Sequence, residues 1–173
     1  SLTYKKVGDT ELEMKIHYPP DWQAGGKNLP AIVLFFGGGW HAGDITQFRV
    51  TAPYLTQRGM IVVTPEYRTI SKHGVTPVQC LADAKSAMRY IYKNAGALGI
   101  DASKIAAGGI SAGGHLAAAT ALLQSYQSQP LAPHDQAIRQ TIGQQINAFQ
   151  RRDKVAAWAL ATPQLQRRFS NPD

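Results

Sequence analysis

The chain has a single cysteine, Cys80. An internal disulfide and a thiolate-rich metal cluster are therefore both excluded. No apolar run reaches the ~18 residues that a membrane-crossing helix needs. No signal-peptide pattern opens the sequence, which fits a soluble protein, cytoplasmic or exported. Acidic residues are scarce, 11 against 18 basic ones, for a net charge of +7. The excess is dispersed: 12 basic against 8 acidic residues up to Tyr126, then 6 against 3. No basic stripe with interleaved aromatics forms, so no nucleic-acid partner is expected. Neither a metal nor a cofactor is expected. With 44% hydrophobic residues, the 173-residue chain has enough apolar material for about one folded domain.

Glycine is abundant and then nearly vanishes: 15 of 16 glycines precede Gln127, and only Gly143 follows it. Nine of the last 47 residues are glutamine. This shift, with two prolines in QSYQSQPLAPHD (124–135), marks a linker at 127–133 between segments 1–126 and 134–173. In the first segment LEMKIHY (12–18) alternates as a half-buried strand does, with Leu12, Met14, Ile16 and Tyr18 on one face. AIVLFF (31–36), MIVVTPEY (60–67) and KIAAGGI (104–110) are apolar runs of the kind found in doubly covered parallel strands. Helices are expected over 47–59, 76–96 and 112–124. Thr76 suits the N-cap of the second and Pro77 its first turn, with Val78, Leu81, Ala84, Met88 and Ile91 facing the core. The alternation implies an α/β fold built on a parallel sheet. In the second segment two helices are expected, the first capped by Asp135 and carrying Ile138, Ile142, Ile146 and Phe149 on one face.

Two motifs carry chemistry. Gly109-Ile110-Ser111-Ala112-Gly113 fits G-x-S-x-G directly after a strand and before a helix, the setting of a nucleophile elbow. Such a turn exposes the serine Oγ beside the N–H groups of a helix N-terminus. FFGGGWHAGD (35–44) places three glycines after a buried strand, where backbone N–H groups can approach an oxyanion.

These motifs, with RGMIVVTPEYR, TPVQCLADAKSAMRYI and GIDASKIAAGGISAGGHLAA in the same order, resemble the N-terminal half of an α/β-hydrolase. The branch is that of the esterases and lipases related to hormone-sensitive lipase. The resemblance implies a serine hydrolase of carboxylic esters, acting through an acyl-enzyme on Ser111 with a small-molecule ester as partner. It implies an oxyanion hole from Gly38, Gly39 and Ala112, a pocket walled by Trp40, and structural roles for Tyr67, Arg68 and Asp83; by its position His41 is also placed at the substrate pocket. The family usually has histidine before the three glycines; here Phe36 stands there. Residues 133–173 resemble the opening helices of an uncharacterised NTF2-like family, so the sequence reads as two truncated families joined near residue 127.

The family's acid and histidine lie on strands well downstream of the serine, and only 62 residues follow Ser111. His115 sits four residues along the same helix, a candidate base that better suits packing; His41 follows the glycine loop and is a second candidate, able to approach the site; His134 adjoins Asp135, which suits a helix cap. No complete triad can be assembled from these residues, and a serine without its base is a weak nucleophile. The strand before Ser111 would form a sheet edge, which points to self-association into a homo-oligomer. The alternative is a non-catalytic scaffold that keeps the half-fold, or a small-molecule binder using the NTF2-like segment.

Overall fold

The computed structural model describes residues 1–124, with Gln140, Gln144 and Arg151 individually. Ser1–Ala121 form one compact unit. The linker at 127–133, the second-segment helices, His134 and Asp135 lie outside the described residues.

Among the described residues five strands form a mixed sheet in the order β1-β2-β4-β3-β5. They are β1 (Leu2–Val7), β2 (Thr10–His17), β3 (Leu29–Phe35), β4 (Ile61–Pro65) and β5 (Ile100–Gly109). β4, β3 and β5 are parallel, as the apolar runs imply, with Val33 opposite Val63 on one side and Ala107 on the other. The β1–β2 hairpin adds an antiparallel pair, β2 running against β4 with Met14 opposite Pro65. β5 starts earlier than the expected residue 104, because Ile100 pairs with Leu29 ahead of a register shift.

Leu12, Met14, Val33, Phe35, Ile61, Val62 and Val63 are buried and carry the core. α3 (Pro77–Lys93) is closed at its start by the Gln79 side chain, whose Oε1 accepts from the Thr76 N–H at 2.8 Å. Its buried stripe is Pro77, Cys80, Ala84, Ala87, Met88 and Ile91. Val78, expected on that face, is 46% exposed. The stripe begins one position earlier, so Cys80 and Asp83 turn inward instead. Burial, and then the nearby Asp83, push the Cys80 thiol up to about 12, which makes it inert as a nucleophile.

The helix expected over 47–59 is interrupted. A 3-10 turn at Ile45–Phe48 precedes α1 (Thr51–Thr56). Asp44 caps that turn by accepting from the Thr46 N–H at 2.7 Å. Pro53 falls in the first turn of α1, where a missing N–H costs nothing. A short α2 (Ile70–His73) follows β4, and α4 (Ala112–Gln124) follows β5. No helix among the described residues is long and apolar enough to cross a membrane.

Candidate active site

β3 and β5 run side by side and in the same direction, so their C-terminal ends deliver two turns to one place. Ser111 stands in the turn between β5 and α4 with φ +51°, a left-handed backbone that a serine adopts only under constraint. The constraint is crowding. A Cβ on Gly113 would overlap the carbonyl oxygens of Phe35 and Phe36, and one on Gly109 would overlap Phe35 and Gly113. The Ile110 N–H donates to the Phe35 carbonyl at 3.2 Å, and the Gly113 N–H to that of Ile110 at 2.8 Å. Ser111 is exposed, and Ala112 behind it opens α4.

The glycine loop lies against this turn. A Cβ on Gly37 would stand 2.6 Å from the Ile110 carbonyl oxygen, and the Trp40 ring meets His115 edge-on at 5.4 Å. Gly38 and Gly39 are exposed, and Trp40 is buried at φ +60°. Among the described residues, every carbonyl of the loop from Phe36 to His41 except that of Gly39 accepts a hydrogen bond. Tyr67 Oη donates to Phe36 at 2.8 Å. The His41 and Ala42 N–H groups donate to Gly38 at 2.9 and 3.2 Å. The Ile70 N–H donates to Trp40 at 2.9 Å, and Ser71 gives His41 both its N–H (3.0 Å) and its Oγ (2.6 Å). Phe36 stacks on Tyr67 with ring centroids 4.0 Å apart, so an aromatic pair buttresses the loop where the family usually has a histidine.

Ser111 and Ala112 thus stand in one turn, and Gly38, Gly39 and Trp40 in the loop that packs against it. His41 is exposed and joins the loop through its backbone. Among the described residues no carbonyl or side chain takes the N–H groups of Gly38 and Gly39. Ala112 opens α4, where helix geometry leaves the N–H without an intrahelical partner. Such donors beside a serine can stabilise an oxyanion. His17 lies on β2, with two strands between it and β5, and its Nε2 is 3.3 Å from Thr64 Oγ1. His73 Nδ1 accepts from the Thr69 N–H at 3.0 Å. Both histidines are committed to bonds of the fold. No cluster of metal-ligating side chains occurs among the described residues.

Sequence reasoning missed Gln47. Its Oε1 accepts from the Gly37 N–H at 2.9 Å and its Nε2 donates to the Gly37 carbonyl at 3.0 Å. The signal was available only as a polar residue following a turn-capping Asp44. It also left Asp83 without partners. That buried carboxylate accepts from Arg68 Nε (2.8 Å) and from Lys5 Nζ (2.6 Å).

The BD-FAE family model matches residues 14–159, a span that runs past the composition change near Gln127. Carboxylesterase NlhH of Mycobacterium tuberculosis is 34% identical over 117 residues, 67% of this chain and 35% of that protein. A novel thermophilic esterase of Thermogutta terrifontis, Est2, solved with propionate bound, is 47% identical with a TM-score of 0.67. That alignment covers 69% of this chain and 43% of the esterase. Esterase 2 of the same organism phosphonylated by sarin is 46% identical with a TM-score of 0.65, covering 68% of this chain and 42% of that one. The chain thus spans well under half the length of these relatives.

Proposed function

The chain belongs to the BD-FAE family of α/β-hydrolase-like domains, and from that premise we propose that it hydrolyses small carboxylic esters through Ser111. The observation that carries this reading is the strained, exposed Ser111 in the turn between β5 and α4, against which the glycine loop packs through Gly37 and Ile110. Ser111 Oγ attacks the ester carbonyl as a base takes its proton, and the tetrahedral oxyanion settles on the N–H groups of Gly38, Gly39 and Ala112. The intermediate collapses, the alkoxide leaves with a proton, and water then cleaves the acyl-serine. The propionate bound in Est2 favours a short acyl group. The sarin adduct of esterase 2 favours an organophosphorus probe. The histidine and carboxylate that activate Ser111 come, in this reading, from outside the described residues.

The test is intact mass after incubation with a fluorophosphonate probe. One probe should add to the wild type and none to Ser111→Ala. Labelling should persist in His41→Ala and His115→Ala. A folded wild-type sample that takes no probe would sink the reading and leave the alternative, a non-catalytic scaffold.

A specific observation also favours self-association. β5 is the last strand of the sheet and Ile110 beside it is 48% exposed. An edge of this kind, which no other strand among the described residues pairs, invites a second strand. We propose that two copies meet along it. Sedimentation should show a dimer whose population rises with concentration; a monomer at the highest soluble concentration would refute this.

A further inference from the structure

We infer that Gln47 is the positioning residue that aims the first oxyanion donor, the Gly38 N–H; this rests on the reading of Ser111 as nucleophile. The Gly37–Gly38 peptide is trans. In a trans peptide the carbonyl of one residue and the N–H of the next point in opposite directions. Whatever holds the Gly37 carbonyl therefore sets the direction of the Gly38 N–H. Gln47 Nε2 is that holder, at 3.0 Å. Its Oε1 takes the Gly37 N–H at 2.9 Å, so one planar amide fixes both polar groups of Gly37.

The second donor is set differently. The Gly38 carbonyl accepts from the N–H groups of His41 and Ala42, so the Gly39 N–H is aimed by backbone alone. Of these two, only the first depends on a side chain. Gln47 is itself seated firmly. It lies in the 3-10 turn capped by Asp44, next to the buried Phe48. A Cβ on Gly43 would come within 3.1 Å of Gln47 Nε2, so glycine at 43 leaves room for the amide. The aromatic pair of Phe36 and Tyr67 holds the loop one residue earlier.

The experiment compares the full-length wild type with Gln47→Leu and Gln47→Glu. Leucine removes both bonds. Glutamate keeps an acceptor for the Gly37 N–H but has nothing to donate to the Gly37 carbonyl. Removing an oxyanion donor outright costs about 100- to 1,000-fold in kcat, so misdirecting one should cost about tenfold or more. Both variants should lose that factor in fluorophosphonate labelling rate and in kcat on a p-nitrophenyl propionate ester, with KM little changed. Amide exchange of the 36–43 segment should rise more in Gln47→Leu than in Gln47→Glu. Folded variants that label at the wild-type rate would overturn the assignment, as would a loss confined to KM. Should the wild type itself take no probe, the esterase reading falls and exchange alone judges the clamp: unchanged protection in Gln47→Leu refutes it. Should Gln47→Leu fail to fold, Gln47→Glu decides by the same readouts.

Discussion

Gly113→Ala is expected to abolish probe labelling of Ser111 and to lower the melting temperature by about 10 °C, the shift that a loss of about 3 kcal/mol produces in a domain of this size. A Cβ at that position would overlap the carbonyl oxygens of Phe35 and Phe36, which are backbone atoms at the end of β3. No rotamer change relieves such an overlap; either α4 or the strand must move. Overpacking a side chain costs about 1–3 kcal/mol, and a clash with backbone belongs at or above the top of that range. The same movement would widen the turn that keeps Ser111 at φ +51°. Gly114→Ala is the control. There a Cβ would meet the Gly109 carbonyl oxygen at 3.2 Å, a tight contact that needs a shift of a few tenths of an ångström, and the helix propensity that alanine gains, about 0.5–1 kcal/mol, offsets it. Its melt and labelling should stay near wild type. Equal behaviour of the two variants would refute the crowding account of the elbow.

The strand–turn–helix around Ser111 was legible in the sequence because its constraint is local. Small residues on both sides of Ser111, between an apolar run and a helix, leave few other readings. β3 and β4 were legible for a similar reason: a strand covered on both faces is apolar throughout. β1 was not, because its register shifts between Thr3 and Lys5, and the bulge breaks the alternation of Leu2 and Tyr4 before Val7. Val78 was misplaced because spacings of three and four fit two adjacent stripes on α3. A buried aspartate at Asp83 then breaks the apolar pattern of the true one. Gln47 was invisible for a deeper reason. A side-chain amide bonded to a backbone ten residues away leaves no periodic trace. The loop is therefore recognisable as a glycine motif, while what aims its donors emerges only in three dimensions.

Asp83→Ala is expected to cost about 3–5 kcal/mol, the loss typical when one partner leaves a buried ion pair. The Asp83 side chain is fully buried and serves two cations, Arg68 and Lys5, whose side chains are 11% and 22% exposed. Arg68 approaches it through Nε at 2.8 Å, a terminal nitrogen at 2.9 Å and its own backbone N–H at 3.2 Å. Alanine would leave both cations poorly solvated and unpaired. Asp83→Asn should lose nearly as much, since an amide offers one acceptor where the carboxylate offered two. The loss should also reach the site. Arg68 belongs to the segment whose next residues, Ile70 and Ser71, hold the carbonyls of Trp40 and His41. Urea unfolding measures the stability term, and fluorophosphonate labelling measures the site term. Replacing Asp83, Arg68 and Lys5 together by Leu, Met and Met should recover much of the stability, because buried ion pairs often do no better than apolar packing. Labelling should recover less, since the apolar set offers no acceptor for the Arg68 backbone N–H position that anchors the segment. A single Asp83→Ala variant within about 1 kcal/mol of wild type would show that this triad does not tie β1 and α3 to the loop.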